Sequence, residues 1–569
     1  MAKIHTLKIS NYKGIQKFEQ VFGRTDFICL IGRGDSGKTT ILDAISAVLS
    51  PSWNLTFYDS DFYNGNIEEL MEIEASLYDV PSKLLSQTKY GLYKRFMNNK
   101  GEIIDDVLDE DLNDEVDILT VKLRVNKDLE PKWHVCNDRK GEVEINPSDR
   151  ASFNVFLVSD YIDRHFSWNK GNPLYSLLKQ EDTVDEKTNV IIDALRGAKE
   201  KIGANAFNHL DSVVEKIKNA ASNLGVDIAN TTTTIDFKDI SIKDGRICLH
   251  EDKIPFRLKG KGSKRLISIA IQTELAKSGG IILIDEIEQG LEPDRAKHLV
   301  RTLENQKLGQ IFITTHSRDV LVELQAENIF LMKKGNQKLI GFDESFQGCL
   351  RNNPEAFFAK RMIVCEGATE VGICRAIDGH RISKGKSSFA VLGIGIVNGT
   401  GDRFINYCEN FKGAGFDVCA FCDSDVPKIN EKKGALREKA IQIVDWEEGK
   451  EIEKQLFNDL PWEVVQKLID YVINIKSEDS VKDLIKNQNG NSLPSDWYDI
   501  DNKEIRIAIG KASTLKKQNN KGEMEDKGWF KSIYHGEFLG SIWCSNLDKL
   551  NDKTLGKQFE ILSNWIDHA

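Results

Sequence analysis

Residues 26–49 read DFICLIGRGDSGKTTILDAISAVL, and this stretch decides the fold. The run DFICLIG has the composition of a buried strand, and TTILDAISAVL carries apolar residues at helical spacing. Between them, Gly32-Arg33-Gly34-Asp35-Ser36-Gly37-Lys38-Thr39 is a complete GxxxxGK[ST] loop. Its glycines let successive backbone N–H groups wrap phosphate oxygens at the start of a helix. Lys38 is expected to reach the outer phosphates of ATP and the Thr39 hydroxyl to bind Mg²⁺. Thr40 and Ser36 complete the expected nucleotide-binding set. Asp35 is the odd member, since a carboxylate in a phosphate-binding loop needs a compensating partner.

A second motif follows far along the chain. Ile281-Ile282-Leu283-Ile284-Asp285-Glu286 reads as a buried parallel strand that delivers Asp285 to Mg²⁺ and places Glu286 to polarise an attacking water. Before it comes Leu258-Lys259-Gly260-Lys261-Gly262-Ser263, then Lys264-Arg265, ahead of an expected helix. After it come Gly290-Leu291-Glu292-Pro293 and Thr314-Thr315-His316-Ser317. The order of phosphate loop, signature loop, Walker B strand, D-loop and histidine switch resembles that of the ABC and chromosome-maintenance ATPases. The resemblance implies two nucleotides sandwiched between head domains, with Gly262 and Ser263 facing the partner's phosphate and His316 acting in catalysis. The signature loop departs from the usual LSGGQ.

Residues from about 65 to 160 read as a mixed β region, through MEIEASLYDV, DILTVKLRV and FNVFLVSD. From about 182 to 224 the pattern turns helical, with Ile191, Leu195, Ala198, Ile202, Leu210, Val213, Val214, Ile217 and Leu224 near helical spacing. That stripe reads as core, with dimerisation as the functional alternative. The expected division is an N-terminal ATPase part (1–170), a helical insertion (171–226), the rest of the ATPase domain (227–345), and an α/β domain with a helical tail (346–569).

That last domain opens a second site. Ile363-Val364-Cys365-Glu366-Gly367 is a strand delivering a glutamate to a glycine turn, with Glu370 one helical turn beyond. Val397-Asn398-Gly399-Thr400-Gly401 supplies a tight loop, and the strand Val418–Phe421 ends in Asp423-Ser424-Asp425. Carboxylates at the carboxyl ends of parallel strands converge in one crevice, where they repel unless a cation such as Mg²⁺ or Mn²⁺ sits among them. Two such ions clamp the attacking and leaving oxygens of a phosphodiester. The pattern resembles the Toprim domain. An ABC-type head followed directly by such a segment resembles the OLD (overcoming lysogenisation defect) family, which includes the Gabija nuclease subunit and nuclease effectors of some retrons. The resemblance implies metal ligands at Glu366, Glu370, Asp423 and Asp425. It also implies a later acidic ligand, Glu451 or Glu453, and a catalytic lysine within Lys527–Lys531, assigned to Lys531.

Composition bounds the rest. The 569 residues suggest several domains; 40% are apolar and 29% charged, which fits an ordinary globular protein. No apolar run suggests a signal peptide or membrane span, so a cytoplasmic location is expected. The ten cysteines form no zinc-ribbon spacing, and Cys419 and Cys422 read as members of a buried strand. A net charge of −11 argues against coating DNA through a global field, leaving local patches at Arg257–Arg265 and Lys511–Lys531.

The expected function is a nucleotide-regulated, metal-dependent DNA endonuclease in anti-phage defence, acting as a homo-oligomer on DNA. It acts alone or with an operon partner, either a helicase or a retron reverse transcriptase with its DNA. The alternative is an ATP-driven DNA-binding sensor or clamp whose Toprim part only binds while a partner supplies toxicity. A topoisomerase would need a tyrosine in a separate DNA-binding domain, and a primase would normally bring a zinc ribbon.

Overall fold

The computed structural model describes residues 2–98, 100–105, 116–167, 171–180, 249–251, 253–277, 279–306, 309–333, 335, 338–401, 403–518, 524–526 and 528–568. The helical insertion expected over 171–226 lies outside the described residues beyond the short helix Pro173–Gln180. The chain divides into two compact units. One comprises Met1–Leu30, Asp35–Thr315 and Lys334–Lys338; the other comprises Ile31–Gly34, His316–Lys333 and Leu339–Ala569.

The principal strands of the first unit are β1 (Lys3–Tyr12), β2 (Ile15–Val21), β3 (Phe27–Ile31), β4 (Met71–Tyr78), β5 (Val116–Val125), β6 (Pro131–Asn137), β7 (Gly141–Glu144), β8 (Val155–Val158), β9 (Ile281–Ile284) and β10 (Gln310–Thr314). They form two sheets of different kinds. An antiparallel sheet runs β2-β1-β4-β5-β6-β7. Its strands alternate, as a half-solvated sheet requires: Ile73 and Ala75 are buried beside Glu72 and Glu74, and Val121 and Leu123 beside Lys122 and Arg124. Across the strand pair Glu72 faces Arg124 (2.7 Å) and Glu74 faces Lys122 (3.2 Å), each pair contributing roughly 0.2–1 kcal/mol.

Within the other, six-stranded sheet β8-β9-β10-β3 are successive neighbours, and these three pairs are parallel. Here FICLI, IILI and QIFIT are buried throughout, the unbroken apolar pattern of strands covered on both faces. The helices that matter for the site are α1 (Lys38–Val48), α2 (Lys261–Lys277) and α3 (Pro293–Asn305). One expectation is corrected: α2 begins at Lys261, so Gly262, Ser263, Lys264 and Arg265 form its opening turns rather than a loop ahead of it.

The second unit is built on a parallel sheet of β11 (Arg361–Cys365), β12 (Ile394–Asn398), β13 (Asp417–Phe421) and β14 (Gln442–Val444), in the order β12-β11-β13-β14. Its longer helices are α4 (Ala368–Ser383), α5 (Phe404–Gly413), α6 (Pro427–Glu438), α7 (Ile452–Asp459), α8 (Trp462–Lys476), α9 (Glu478–Gln488), α10 (Lys503–Ser513), α11 (Ile533–Ser545) and α12 (Thr554–Asp567). The expected helical character beyond residue 455 is what the structure has. Phe421, Trp446 and Trp543 stack edge to face at 5.6 and 5.7 Å, joining the sheet to α11. Arg361 pairs with Asp417 (2.9 Å) and lies 3.9 Å over the Trp565 ring, fastening α12 to the start of β11.

Helices α4 and α11 approach through glycines. A Cβ on Gly372 would collide with the carbonyl oxygen of Ile533, and one on Gly536 with that of Thr369. This closeness sets the position of the loop preceding α11 against the start of α4. Gly536→Ala should therefore destabilise the protein by about 2 kcal/mol through overpacking. Gly379→Ala, on α4 but facing open space, should be neutral or stabilising by up to about 1 kcal/mol. Chemical denaturation of the two variants beside the parent checks the contrast.

Candidate functional site

In the first unit the carboxyl ends of β3, β10 and β9 bring three polar groups together. Thr39, at the start of α1, donates its hydroxyl to both Asp285 oxygens at 3.2 Å. Thr314, at the end of β10, donates to Asp285 Oδ1 at 2.6 Å and accepts from the Glu286 N–H at 2.7 Å. Asp285 is thus aimed at the phosphate-loop threonine from two sides before any cation is bound. Lys38 is buried, and burial lowers its proton affinity against the raising influence of Asp285, Glu286 and Asp35. The ammonium lies 3.4 Å from Ser36 Oγ. Gly32 and Gly37 have positive φ (148° and 103°), the backbone freedom the loop needs. Asp35 also has positive φ (56°) and is exposed; aspartate is among the few residues that tolerate that conformation, and water solvates the charge. Gly34 has open space around it. Thr40 lies against the β1–β2 turn, where a Cβ on Gly14 would be 3.9 Å from its hydroxyl.

Glu286 is exposed with positive φ (47°), and Arg265 explains how it is held. This arginine is 3% exposed and donates to the Glu286 carbonyl (2.9 Å) and to Gln289 Oε1 (2.8 Å). The basic patch expected at Arg257–Arg265 is accordingly corrected. Arg265 is internal, Lys264 pairs with Asp163 (3.0 Å) and Lys259 pairs with Glu251, leaving Arg257 and Lys261 exposed. Gly262 packs so closely on Gly290 that a Cβ would collide with its carbonyl oxygen, while Ser263 stays exposed. In the second unit His316 is exposed, with its ring 6.3 Å from that of Phe358.

The carboxylates of the second unit gather at the carboxyl ends of β11 and β13. Glu366 accepts the Asp423 N–H at 3.0 Å, and its carbonyl accepts the Gly401 N–H at 2.9 Å, so the Gly399–Gly401 loop braces it. Glu370 occupies the first turn of α4 and its carboxylate reaches back to accept the Gly367 N–H at 2.8 Å, capping the helix from within. Asp423 accepts from Trp446 Nε1 (3.0 Å) and from the Ile452 N–H (2.9 Å). Glu453, 1% exposed on the first turn of α7, pairs with Lys531 at 3.0 Å and has its Oε2 buried without a hydrogen-bond partner.

These groups feel one another. Burial, then Glu453 and Glu366, push Glu370 up to about 7, with Lys531 opposing. Burial and the charges of Glu370, Glu453 and Glu366 push Asp423 well above the usual carboxylate range. Glu366 is raised by burial and by Asp425, against Lys433 and Lys516.

The fold therefore brings Glu366, Glu370, Asp423, Glu453 and Lys531 together. Asp425 lies to one side, 3.7 Å from Lys516 Nζ, and Glu451 caps α7 and pairs with Lys454. Lys521 and Lys527 lie outside the described residues. Among the described residues no group of three or more acidic, histidine or cysteine side chains is arranged to hold a metal ion. One oxygen each of Glu366, Glu370, Asp423 and Glu453 accepts from an N–H donor instead. The all-oxygen donor set, its raised proton affinity and the unpartnered Glu453 oxygen nevertheless fit a hard divalent cation.

Residues 2–321 match the family described as "AAA ATPase domain", and residues 357–425 match "Overcoming lysogenization defect protein-like, TOPRIM domain". The "Retron Ec83 probable ATPase" of Escherichia coli is 25% identical over 34% of this chain and 38% of its own length. The "Spermidine/putrescine import ATP-binding protein PotA" of Ureaplasma parvum is 21% identical over 86% of this chain and 94% of its own. A solved Smc head domain from Pyrococcus furiosus aligns at 15% identity over 60% of this chain and 97% of its own, with a TM-score of 0.32. The chain belongs to the OLD family of ATPase–Toprim proteins.

This OLD protein joins an AAA-type ATPase domain to a Toprim domain, which implies use of nucleotide and a divalent metal. Among its described residues no helix is long and apolar enough to cross a membrane, and the described cysteines are all free and buried. Cys419 and Cys422 are among them; Cys419 lies on β13 as expected, whereas Cys422 follows the strand's end at Phe421. Sequence reasoning read Arg265 as part of a basic patch and gave no individual role to Thr314 or Trp446. Thr314 opens the histidine-switch motif and Trp446 lies five residues before Glu451, so proximity to a motif was the available signal.

The raised Glu370 has a consequence for stability. Its folded form holds a proton from the ordinary 4.5 up to about 7, whereas the unfolded chain releases it near 4.5. The folded state binds more protons in that window, so metal-free stability should fall as pH rises from about 5 to about 7. Glu370→Gln should flatten the slope, which thermal midpoints measured in chelator across that range will check.

Proposed function

We propose that this OLD protein is a nucleotide-regulated, divalent-metal-dependent DNA endonuclease that hydrolyses phosphodiesters in anti-phage defence. The observation that carries the reading is the cluster of Glu366, Glu370, Asp423 and Glu453 with Lys531 at the carboxyl ends of β11 and β13. Carboxylates that raise one another's proton affinity have no place in a domain that only binds, whereas a cation among them relieves the repulsion.

Glu366, Glu370, Asp423 and Glu453 would hold Mg²⁺ or Mn²⁺, with Asp425 and Glu451 at the margins of the set. When bound, the metal supplies Lewis-acid stabilisation of the phosphate and a lowered pKa for coordinated water. Lys531, partly exposed beside Glu453, is placed to meet the negative charge that builds on the phosphate or to protonate the leaving oxygen. In the head, Lys38, Thr39, Asp285 and the loop from Gly32 to Thr40 bind ATP with Mg²⁺. Glu286 orients the attacking water, and His316 acts in catalysis. Gly262 and Ser263 open α2, whose N-terminus suits a phosphate supplied by a second head in a homo-oligomer. The four-part division of the chain, with an insertion at 171–226 for dimerisation, belongs to this reading, as does a cytoplasmic location. The retron relative supports the defence role and favours a reverse transcriptase with its DNA over a helicase as partner.

The test is cleavage of plasmid and linear DNA with Mg²⁺ or Mn²⁺, with and without ATP. Asp423→Ala should cut cleavage by more than about a hundredfold, since even residues behind a metal's ligands cost about 10–100-fold, and should leave ATP hydrolysis intact. Lys38→Ala should abolish ATP binding and hydrolysis, and the ATP lanes give the sign of regulation. Loss of both activities from Asp423→Ala in a folded protein would count against two separate sites. No cutting by an intact, ATP-binding protein would shift the reading to a sensor with a toxic partner.

A further inference from the structure

The Asp423-Ser424-Asp425 loop is held by a residue to which the nuclease reading assigns nothing. Ser424 is buried between the two aspartates, and its polar groups are all engaged. Its N–H donates to the Lys450 carbonyl (3.0 Å) and its hydroxyl to the Trp446 carbonyl (2.9 Å). Its own carbonyl accepts from the Gly449 N–H (2.9 Å) and from Asn430 Nδ2 (2.8 Å). The serine is therefore a knot in the loop rather than a spacer.

Lys433 closes that knot. It lies on the second turn of α6 and is 5% exposed. Its ammonium donates to the Asp423 carbonyl (2.9 Å) and to Ser424 Oγ (2.9 Å), and pairs with Asp445 (3.1 Å). Three N–H groups meet three oxygens, so the donor capacity of the side chain is used completely. Helix α6 starts at Pro427, directly after the loop, and long helical side chains slant towards the helix N-terminus. Lys433 thus reaches back over the turn that presents the aspartates. The carboxylate of Asp423 is aimed from elsewhere, by Trp446 Nε1 and the Ile452 N–H, so backbone and side chain are fixed independently.

We propose that Lys433 is a positioning residue of the metal site, holding the Asp423–Ser424 backbone so that the Asp423 carboxylate meets the cation from a fixed position. The inference rests on the metal-dependent reading above. It differs from a plain folding role, in which a buried Lys433–Asp445 pair would stabilise the domain without touching metal affinity.

The experiment measures Mn²⁺ binding to the nucleotide-free full chain by electron paramagnetic resonance of free Mn²⁺, for wild type, Asp423→Ala, Lys433→Met, Ser424→Ala and Ser424→Thr. Thermal midpoint and ATP hydrolysis are recorded for each. Lys433→Met should weaken Mn²⁺ binding by about 10–100-fold, the usual cost of losing a group that orients a ligand. It should lower kcat for DNA cleavage with little change in KM, while ATP hydrolysis stays at the wild-type level. Ser424→Ala should shift Mn²⁺ affinity in the same direction and Ser424→Thr, which keeps the hydroxyl, should restore it. This pair decides the matter if Lys433→Met does not fold.

Wild-type Mn²⁺ affinity in Lys433→Met or Ser424→Ala overturns the inference alone. So does a weakening that only tracks a collapse in thermal midpoint and ATP hydrolysis. Wild type binding Mn²⁺ no better than Asp423→Ala overturns the metal-site reading, and this inference with it.

Discussion

Buried carboxylates that repel one another are the constraint around which the second unit is arranged. Glu366, Glu370, Asp423 and Glu453 arrive from the ends of two strands and the first turns of two helices. Burial disfavours the charged forms of Glu366, Glu370 and Asp423, and neighbouring carboxylates add to their proton affinity. The surrounding chain answers with donors. Backbone N–H groups of Gly367, Asp423 and Ile452, the Trp446 indole and the Lys531 ammonium each take one carboxylate oxygen. Such an arrangement is held under electrostatic tension by its packing, and the close glycine contacts of α4 with α11 are part of what holds it.

The ATPase unit solves a related problem with neutral groups. Asp285 is oriented by two threonine hydroxyls from different elements, one on the phosphate-loop helix and one on the neighbouring strand. Thr314 also takes the Glu286 N–H, so a single hydroxyl sets the direction of both acidic residues. Arg265 then fixes the left-handed turn at Glu286 from behind, through its carbonyl rather than its carboxylate. That leaves the Glu286 side chain exposed. Parallel sheets make both sites possible, because their strands all deliver their loops to the same edge.

Much of this was legible in the chain. The phosphate loop, the buried strand ending in Asp285-Glu286, and the paired Glu366 and Asp423-Ser424-Asp425 strands are local patterns, with identity and spacing set within a few residues. The helical start at Lys261 was not legible, because Lys-Gly-Lys-Gly-Ser has weak helix propensity and is held by the contact of Gly262 with Gly290. The basic patch around Arg265 misled for a similar reason. Whether a cation faces water or an internal carbonyl depends on partners 21 to 24 positions away.

The sequence by itself determined the order of elements, the two kinds of sheet and the acidic strand ends, since apolar runs and alternation dictate burial through local geometry. Only the tertiary structure decided which acidic residue of α7 joins the cluster. Glu451 and Glu453 are two positions apart, so the helical turn sends one towards Lys454 and the other towards Asp423 and Lys531. It likewise decided the parts of Lys433 and Trp446. Their bonds to the aspartate loop span 10 and 23 residues, and no local pattern encodes where a chain returns.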